Sequence, residues 1–187
     1  MIIPRITKPY EPGLPALGDD LENYLVVAGG SVTLKLEPGD KFKIINLEGL
    51  QQAELVAFNS KGECSLSPLS LKSEHKGELT KKILTSNEES AQIAYSKLKR
   101  LGHDVNSINQ SVLVFSKEAE ANSIEEFSSN DSSICIISAP GEFEITHENI
   151  PASELRVIVQ RLRKREEGEF LLPDPLMDPV EEIFVKR

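Results

Sequence analysis

The stretch that most restricts how this chain can fold is residues 31 to 45, SVTLKLEPGDKFKII. Val32, Leu34 and Leu36 alternate with Ser31, Thr33 and Lys35, and Phe42 and Ile44 alternate with Lys41 and Lys43. A period of two belongs to a half-buried strand and not to a helix. Between the runs, Glu37-Pro38-Gly39-Asp40 sets proline at the second turn position and glycine at the third, where a type II turn needs positive φ. Two strands joined as a hairpin over a core are therefore expected. Leu55 to Phe58 reads as a third strand closed by the turn Ser60-Lys61-Gly62-Glu63, and the apolar runs Val112 to Phe115 and Ile134 to Ile137 read as central strands.

One helix stands out. Ser86 and Glu89 have capping-box spacing, Ala91, Ala94, Tyr95, Leu98 and Leu101 form a stripe on one face, and Gly102 stands at the stop. Residues 65 to 82 show no clear period, and the acidic, serine-rich segment 116 to 133 reads as a solvent-facing connection with at most one helical turn. In residues 155 to 163, Leu155, Ile158, Val159 and Leu162 fit a helical stripe, but the β-branched run Val157-Ile158-Val159 decides for a strand. Five to seven strands with one definite helix predict a β-rich α+β domain, its antiparallel sheet forming a barrel-like or sandwich core. At 187 residues the chain has room for one such domain, taken as residues 21–170. Pro4, Pro9, Pro12 and Pro15 make residues 1–20 an extended arm, and Pro173, Pro175 and Pro179 make residues 171–187 a stiff linker into a following element.

The formal net charge is −9, so the molecule's field repels nucleic-acid backbones and anionic membrane surfaces, and neither is expected as a partner. The basic cluster Arg161, Arg163, Lys164 and Arg165 is compensated by Glu166, Glu167 and Glu169. Cys64 and Cys135 lie in no metal-ligand or disulfide spacing, and Cys135 sits inside an apolar run as a small buried hydrophobe. The opening residues lack the apolar stretch of a signal peptide, which makes the cytoplasm the expected location.

Few residues point to chemistry. His75, His103 and His147 show no metal-ligand spacing, and no nucleophile elbow, dinucleotide fingerprint or phosphate loop occurs, so no catalytic or metal residue is assigned. His103, just past the helix stop, is a candidate ligand contact, although a histidine there can equally bond the last helix carbonyls. A strand starting after Gly49 places Gln51 on the side of Ala53 and Leu55, with Gln52, Glu54 and Val56 on the other. Gln51 is thus a polar residue among apolar ones, and a buried amide needs partners. Gln51 and Glu54 are either the polar residues of a binding pocket or, respectively, the partner of a neighbouring backbone edge and a solvated carboxylate.

The stretch from Val26 to Leu55 resembles the opening of the urea-carboxylase-associated family, a strand, a "PGD" turn, an apolar strand and then Gly-x-Gln-x-x-Asp, here Gly49 to Glu54. That family implies hydrolysis of small carboxylated nitrogen compounds with a later "HD…C" segment; His103-Asp104 aligns with "HD", but residues 105 to 116 hold no cysteine. The wider order "PYEPGLPA", "EGLQQAELVAF", "LKRLGHD", "VLVF", "ISAPGEFE", "RVIVQRLR" and "LLPDPLMDP" is similar to the N-terminal region of multidomain proteins related to the glycine cleavage T-protein, the folate-dependent aminomethyltransferase. The resemblance implies an accessory, non-catalytic domain for docking, oligomer contacts or small-ligand binding. It implies no cofactor in this chain, tetrahydrofolate belonging to the parent protein alone. Its partners would be other domains of the same polypeptide, with a homo-oligomer left open.

Overall fold

The computed structural model describes residues 20–87, 89–140 and 153–162. Eight strands form two antiparallel four-stranded sheets. They are β1 (Leu21–Val26), β2 (Ser31–Leu36), β3 (Lys41–Asn46), β4 (Ala53–Phe58), β5 (Val112–Val114), β6 (Ser123–Ser128), β7 (Ser133–Ser138) and β8 (Leu155–Gln160). The first sheet has the order β1-β8-β3-β6 and the second β2-β7-β4-β5. Helices α1 (Glu78–Leu84) and α2 (Glu89–Arg100) cover the outside of the second sheet. The expected β-rich α+β class with a sandwich core is what forms.

Alternation decides the layers. Leu34, Leu36, Phe42, Ile44, Leu55, Ile137, Val157 and Val159 point between the sheets and are nearly inaccessible, which makes the first core. The other face of the second sheet contributes Val56, Phe58 and Ile136 to a second core with Leu84, Ala94 and Leu98 from the helices. β4 is therefore buried along its whole length, since it faces the sandwich on one side and the helices on the other. Cys135 is buried in the first core, which pushes its thiol up to about 12.

Three expectations need correction or extension. The turn at residues 37–40 forms, with Asp40 N–H donating to the Glu37 carbonyl and Gly39 at φ +90°, but it joins no hairpin. β2 pairs with β7, while β3 pairs with β6 and β8, so the chain arches from one sheet to the other. The apolar sides of both strands can then face one another across a shared core, where a flat hairpin would have placed them side by side. The segment read as a solvent-facing connection contains β6, whose burial is slight enough to hide the strand period: only Phe127 of its large side chains packs inward, stacking on Phe42 at 5.0 Å. Residues 65–82, without a readable period, contain the first five residues of α1. The proposed arm, apart from Asp20, and the linker lie outside the described residues.

Candidate functional site

At the end of the sandwich where β3 leaves and β4 begins, the backbone turns tightly around Asn46. The Asn46 amide donates to the Gln51 carbonyl at 2.8 Å and accepts from Gly49 N–H at 3.0 Å, holding the connection from inside. Gly49 lies at φ +79°, and a Cβ there would stand 2.7 Å from the Ala119 carbonyl, so both its conformation and its neighbours demand glycine. Leu50 follows at φ +56°, an uncommon conformation for a branched residue. The turn drives Gln51 inward, where it is 4% exposed.

Gln51 spends its amide on one partner. Its Nε2 donates to the Ser153 carbonyl at 2.6 Å, and its Oε1 accepts from Ser153 N–H at 2.9 Å, so the side chain clasps the strand-like backbone just before β8. The adjacent Gln52 donates to the Phe115 carbonyl at 3.3 Å, and Phe115 is itself a non-glycine residue at φ +70°. Left-handed non-glycine residues gathered at one end of a fold are a place where strain is often kept for function. Among the described residues here, the Ser153 hydroxyl is buried without a hydrogen-bond partner. Replacing Gln51 with alanine strands the Ser153 N–H and carbonyl, and we expect a loss of about 2 kcal/mol, read as a fall in the thermal midpoint.

On the opposite face of β4, Glu54 is 1% exposed and fully engaged. It accepts from Ser111 Oγ at 2.8 Å and from Thr80 N–H at 2.5 Å. The second bond does a job that α1 cannot do for itself. The N-cap of α1 is Gly77, which has no side chain to offer the free N–H groups of the first turn, and a carboxyl from the sheet takes that place. Ser111 Oγ in turn accepts from Gly77 N–H at 2.9 Å. Thr80 Oγ1 lies 3.0 Å from Ser138 Oγ, which lies 2.7 Å from Ser31 Oγ. These five side chains form one buried polar network between sheet and helix layer.

The structure brings Gln51 and Glu54 to the same strand end but on opposite faces. Gln51 does bond a backbone edge; Glu54 is not in solvent. His103 is not with them. Its ring packs on Phe58 with centroids 4.5 Å apart, and burial lowers its pKa while a backbone bond at Gly62 works the other way. Phe58 and Glu54 sit at opposite ends of β4, roughly 13 Å apart at strand rise. His147 lies outside the described residues. Among those described, no three His, Cys, Asp or Glu side chains gather as metal ligands. Thr80, Ser111, Ser138 and Ser153 were not singled out by sequence, and nothing local marks them: each is a common residue made special by a distant partner.

At the opposite end of the sandwich lies an open cleft of about 260 Å³ lined by Asp20, Gly39, Lys41, Gln160, Arg161 and Leu162. Arg161 does not face it as a free cation. Its guanidinium forks onto Glu22 at 3.1 and 2.7 Å, donates to Asp40 at 2.6 Å and reaches the Lys35 carbonyl at 2.7 Å. Burial alone would raise the Asp40 pKa. Bonds from Glu37 and Leu162 N–H, with the Arg161 guanidinium, outweigh it and hold the carboxyl below its ordinary value. This is a clamp between sheets.

No family model matches the chain. Among curated proteins it is similar to the trimethylamine-oxide aldolase of Ruegeria pomeroyi, 30% identical over 191 residues covering 98% of this chain. The chain spans only 24% of that relative's length. Among solved structures, a DUF1989 family protein from Silicibacter pomeroyi is similar over 90% of this chain and 93% of its own, with a TM-score of 0.48 and 14% identity. The likeness of 98% of this chain to one part of a trimethylamine-oxide aldolase corrects the resemblance to aminomethyltransferase-like and urea-carboxylase-associated proteins, and with it the accessory-domain and hydrolase roles. One motif behind that resemblance, Pro38-Gly39-Asp40, is accounted for by β-turn chemistry alone and carries no family information by itself. Among the described residues, no helix is long and apolar enough to cross a membrane.

Proposed function

We propose that this chain recognises trimethylamine oxide, or a small amine oxide like it, as the counterpart of one part of a trimethylamine-oxide aldolase. The observation that carries the reading is extent: the similarity to the Ruegeria pomeroyi protein runs over 98% of the chain, so the whole domain, not one motif, is shared. An amine oxide joins a strongly accepting oxygen to a nitrogen wrapped in methyl groups. A site for it needs a buried donor for the oxygen and an apolar or aromatic wall for the methyls, whose positive charge favours a ring face. The Gln51 end of the sandwich offers the Ser153 hydroxyl with its donor unspent and the half-buried Phe115. In this reading Gln51 and Gln52 are positioning residues that tether Ser153 and Phe115 through their backbones, and Glu54 holds α1 against the same strand. His103 takes no part. Free Cys64 and Cys135 fit a reducing compartment such as the cytoplasm.

Titration calorimetry on the full chain tests this. It is preferred to thermal shift because trimethylamine oxide stabilises folded proteins generally by exclusion from their surfaces. Saturable heat is expected with trimethylamine oxide, binding of trimethylamine about tenfold or more weaker, equivalent to ~1.4 kcal/mol, and most of the affinity lost in Ser153→Ala. Absence of saturable binding up to millimolar trimethylamine oxide would sink the proposal.

A further inference from the structure

Asn46, the last residue of β3, is wholly buried where two loops and the start of β8 meet. Its Nδ2 donates to the Gln51 carbonyl and its Oδ1 accepts from Gly49 N–H, which closes residues 46–51 into one turn. Its backbone carbonyl accepts from Asn122 N–H at 2.7 Å, just before β6. The two loops also bond directly, Leu50 N–H donating to the Ala119 carbonyl at 2.8 Å. On the β8 side, Asn46 is in register with Leu155, two residues past Ser153. Among the described residues, four non-glycine residues have positive φ, and three of them, Leu50, Phe115 and Asn122, belong to these two loops. Such conformations persist only where their surroundings fix them.

We infer that Asn46 is a positioning residue of the amine-oxide site: its amide fixes the turn that carries Gln51 and Gln52, and through them the places of Ser153 and Phe115. The inference rests on the proposed recognition of amine oxides and concerns how that site is kept in shape. Gln51 clasps Ser153 only from the inward position the turn gives it, because one amide must meet the N–H and the carbonyl of a single residue, at 2.9 and 2.6 Å. Gln52, next in the chain, holds the Phe115 carbonyl. The hydroxyl donor and the aromatic wall are therefore tethered by consecutive residues, and both depend on one turn. That turn presents a single N–H, from Gly49, and a single carbonyl, from Gln51, to the buried side chain at 46. A carboxamide offers an acceptor and a donor together; a carboxylate offers only acceptors, and an aliphatic chain neither. Asn46 is walled in and acts through its neighbours, so what its amide protects is a pre-set site, which binds with less ordering to lose.

Titration calorimetry of the full chain with trimethylamine oxide, at about pH 8 and about pH 5.5, tests this through Asn46→Asp. The variant keeps the acceptor for Gly49 N–H but turns a second oxygen toward the Gln51 carbonyl. Burial and that carbonyl both raise the new carboxyl above its usual ~3.9, so it is charged at the higher pH and protonated, a donor again, at the lower. The ratio of variant to wild-type affinity cancels any titration of the ligand itself. That ratio is expected to fall roughly tenfold at the higher pH and to return to within about threefold of the wild type at the lower, with the circular dichroism spectrum unchanged at both. Ile136→Val, in the second core, controls for stability alone: it should lower the thermal midpoint and leave the affinity as it was. If Asn46→Asp does not fold at the higher pH, Asn46→Ser carries the test. Its hydroxyl serves Gly49 or Gln51 but not both, so affinity should fall alike at both pH values. A wild type that binds no trimethylamine oxide overturns the amine-oxide reading and this inference with it. If the wild type binds, this inference alone is overturned by any of three results: Asn46→Asp as tight as the wild type or weakened equally at both pH values, Ile136→Val weakened as much as Asn46→Asp, or Asn46→Ser binding like the wild type.

Discussion

Replacing Arg161 with methionine should destabilise the fold by about 3 kcal/mol, the scale for removing one partner of a largely buried ion pair, and lower the thermal midpoint by roughly 6–12 °C in a chain this size. The guanidinium is the shared partner of Glu22 on β1 and Asp40 in the arch between β2 and β3, and it follows β8 directly. Without it, two carboxylates remain in a poorly solvated corner, and the methionine stem restores none of the four hydrogen bonds. Asp40→Asn combined with Arg161→Met should lose less than Arg161→Met alone, since one stranded charge is then gone.

The same clamp sets the acid limb of stability. Asp40 has a folded pKa below its unfolded value, so its contribution is present above about pH 4 and is lost as pH falls through the depressed folded value. Glu37 adds in the same direction, held low by Lys35 and Ser132, though at an exposed position where screening leaves little. Midpoints measured from pH 7 downward should therefore fall less steeply for Arg161→Met than for the wild type. Equal slopes would show that the pair is not what protects the fold from acid.

Glu54→Ala is the second large effect, expected at about 3 kcal/mol: the loss of two buried hydrogen-bond acceptors plus the void left by the four heavy atoms beyond Cβ. Thr80 N–H would lose its partner at the N-terminus of α1, and Ser111 Oγ would keep only Gly77 N–H. Glu54→Gln keeps the shape and one acceptor, so it should lose about half as much. Hydrogen exchange locates the damage: the amides of α1 should exchange faster in Glu54→Ala while those of β3 and β8 stay protected. Uniform loss of protection would mean that the network supports the whole fold and not the helix it caps.

How much of this could be read from residue order depends on distance along the chain. Strand periods at residues 31–36, 41–44 and 55–58 are local, because the alternation of side chains follows from the backbone itself, and the same holds for the stripe of α2. The mismatch of Gln51 with its strand was visible for the same reason. Its solution was not, because the clasping partner Ser153 lies 102 residues away.

The sequence by itself determined which residues are apolar on which side of each strand, where the turns fall, and that Gln51 is buried if β4 forms. Only the tertiary structure decided that the turn at 37–40 arches between sheets, that β6 is a strand, and that Glu54 caps a helix beginning 24 residues downstream of it at Glu78. The physical reason is the same in each case. Local preference fixes the conformation of a segment, whereas its partner is chosen by which apolar faces and which unpaired donors the rest of the chain brings within reach.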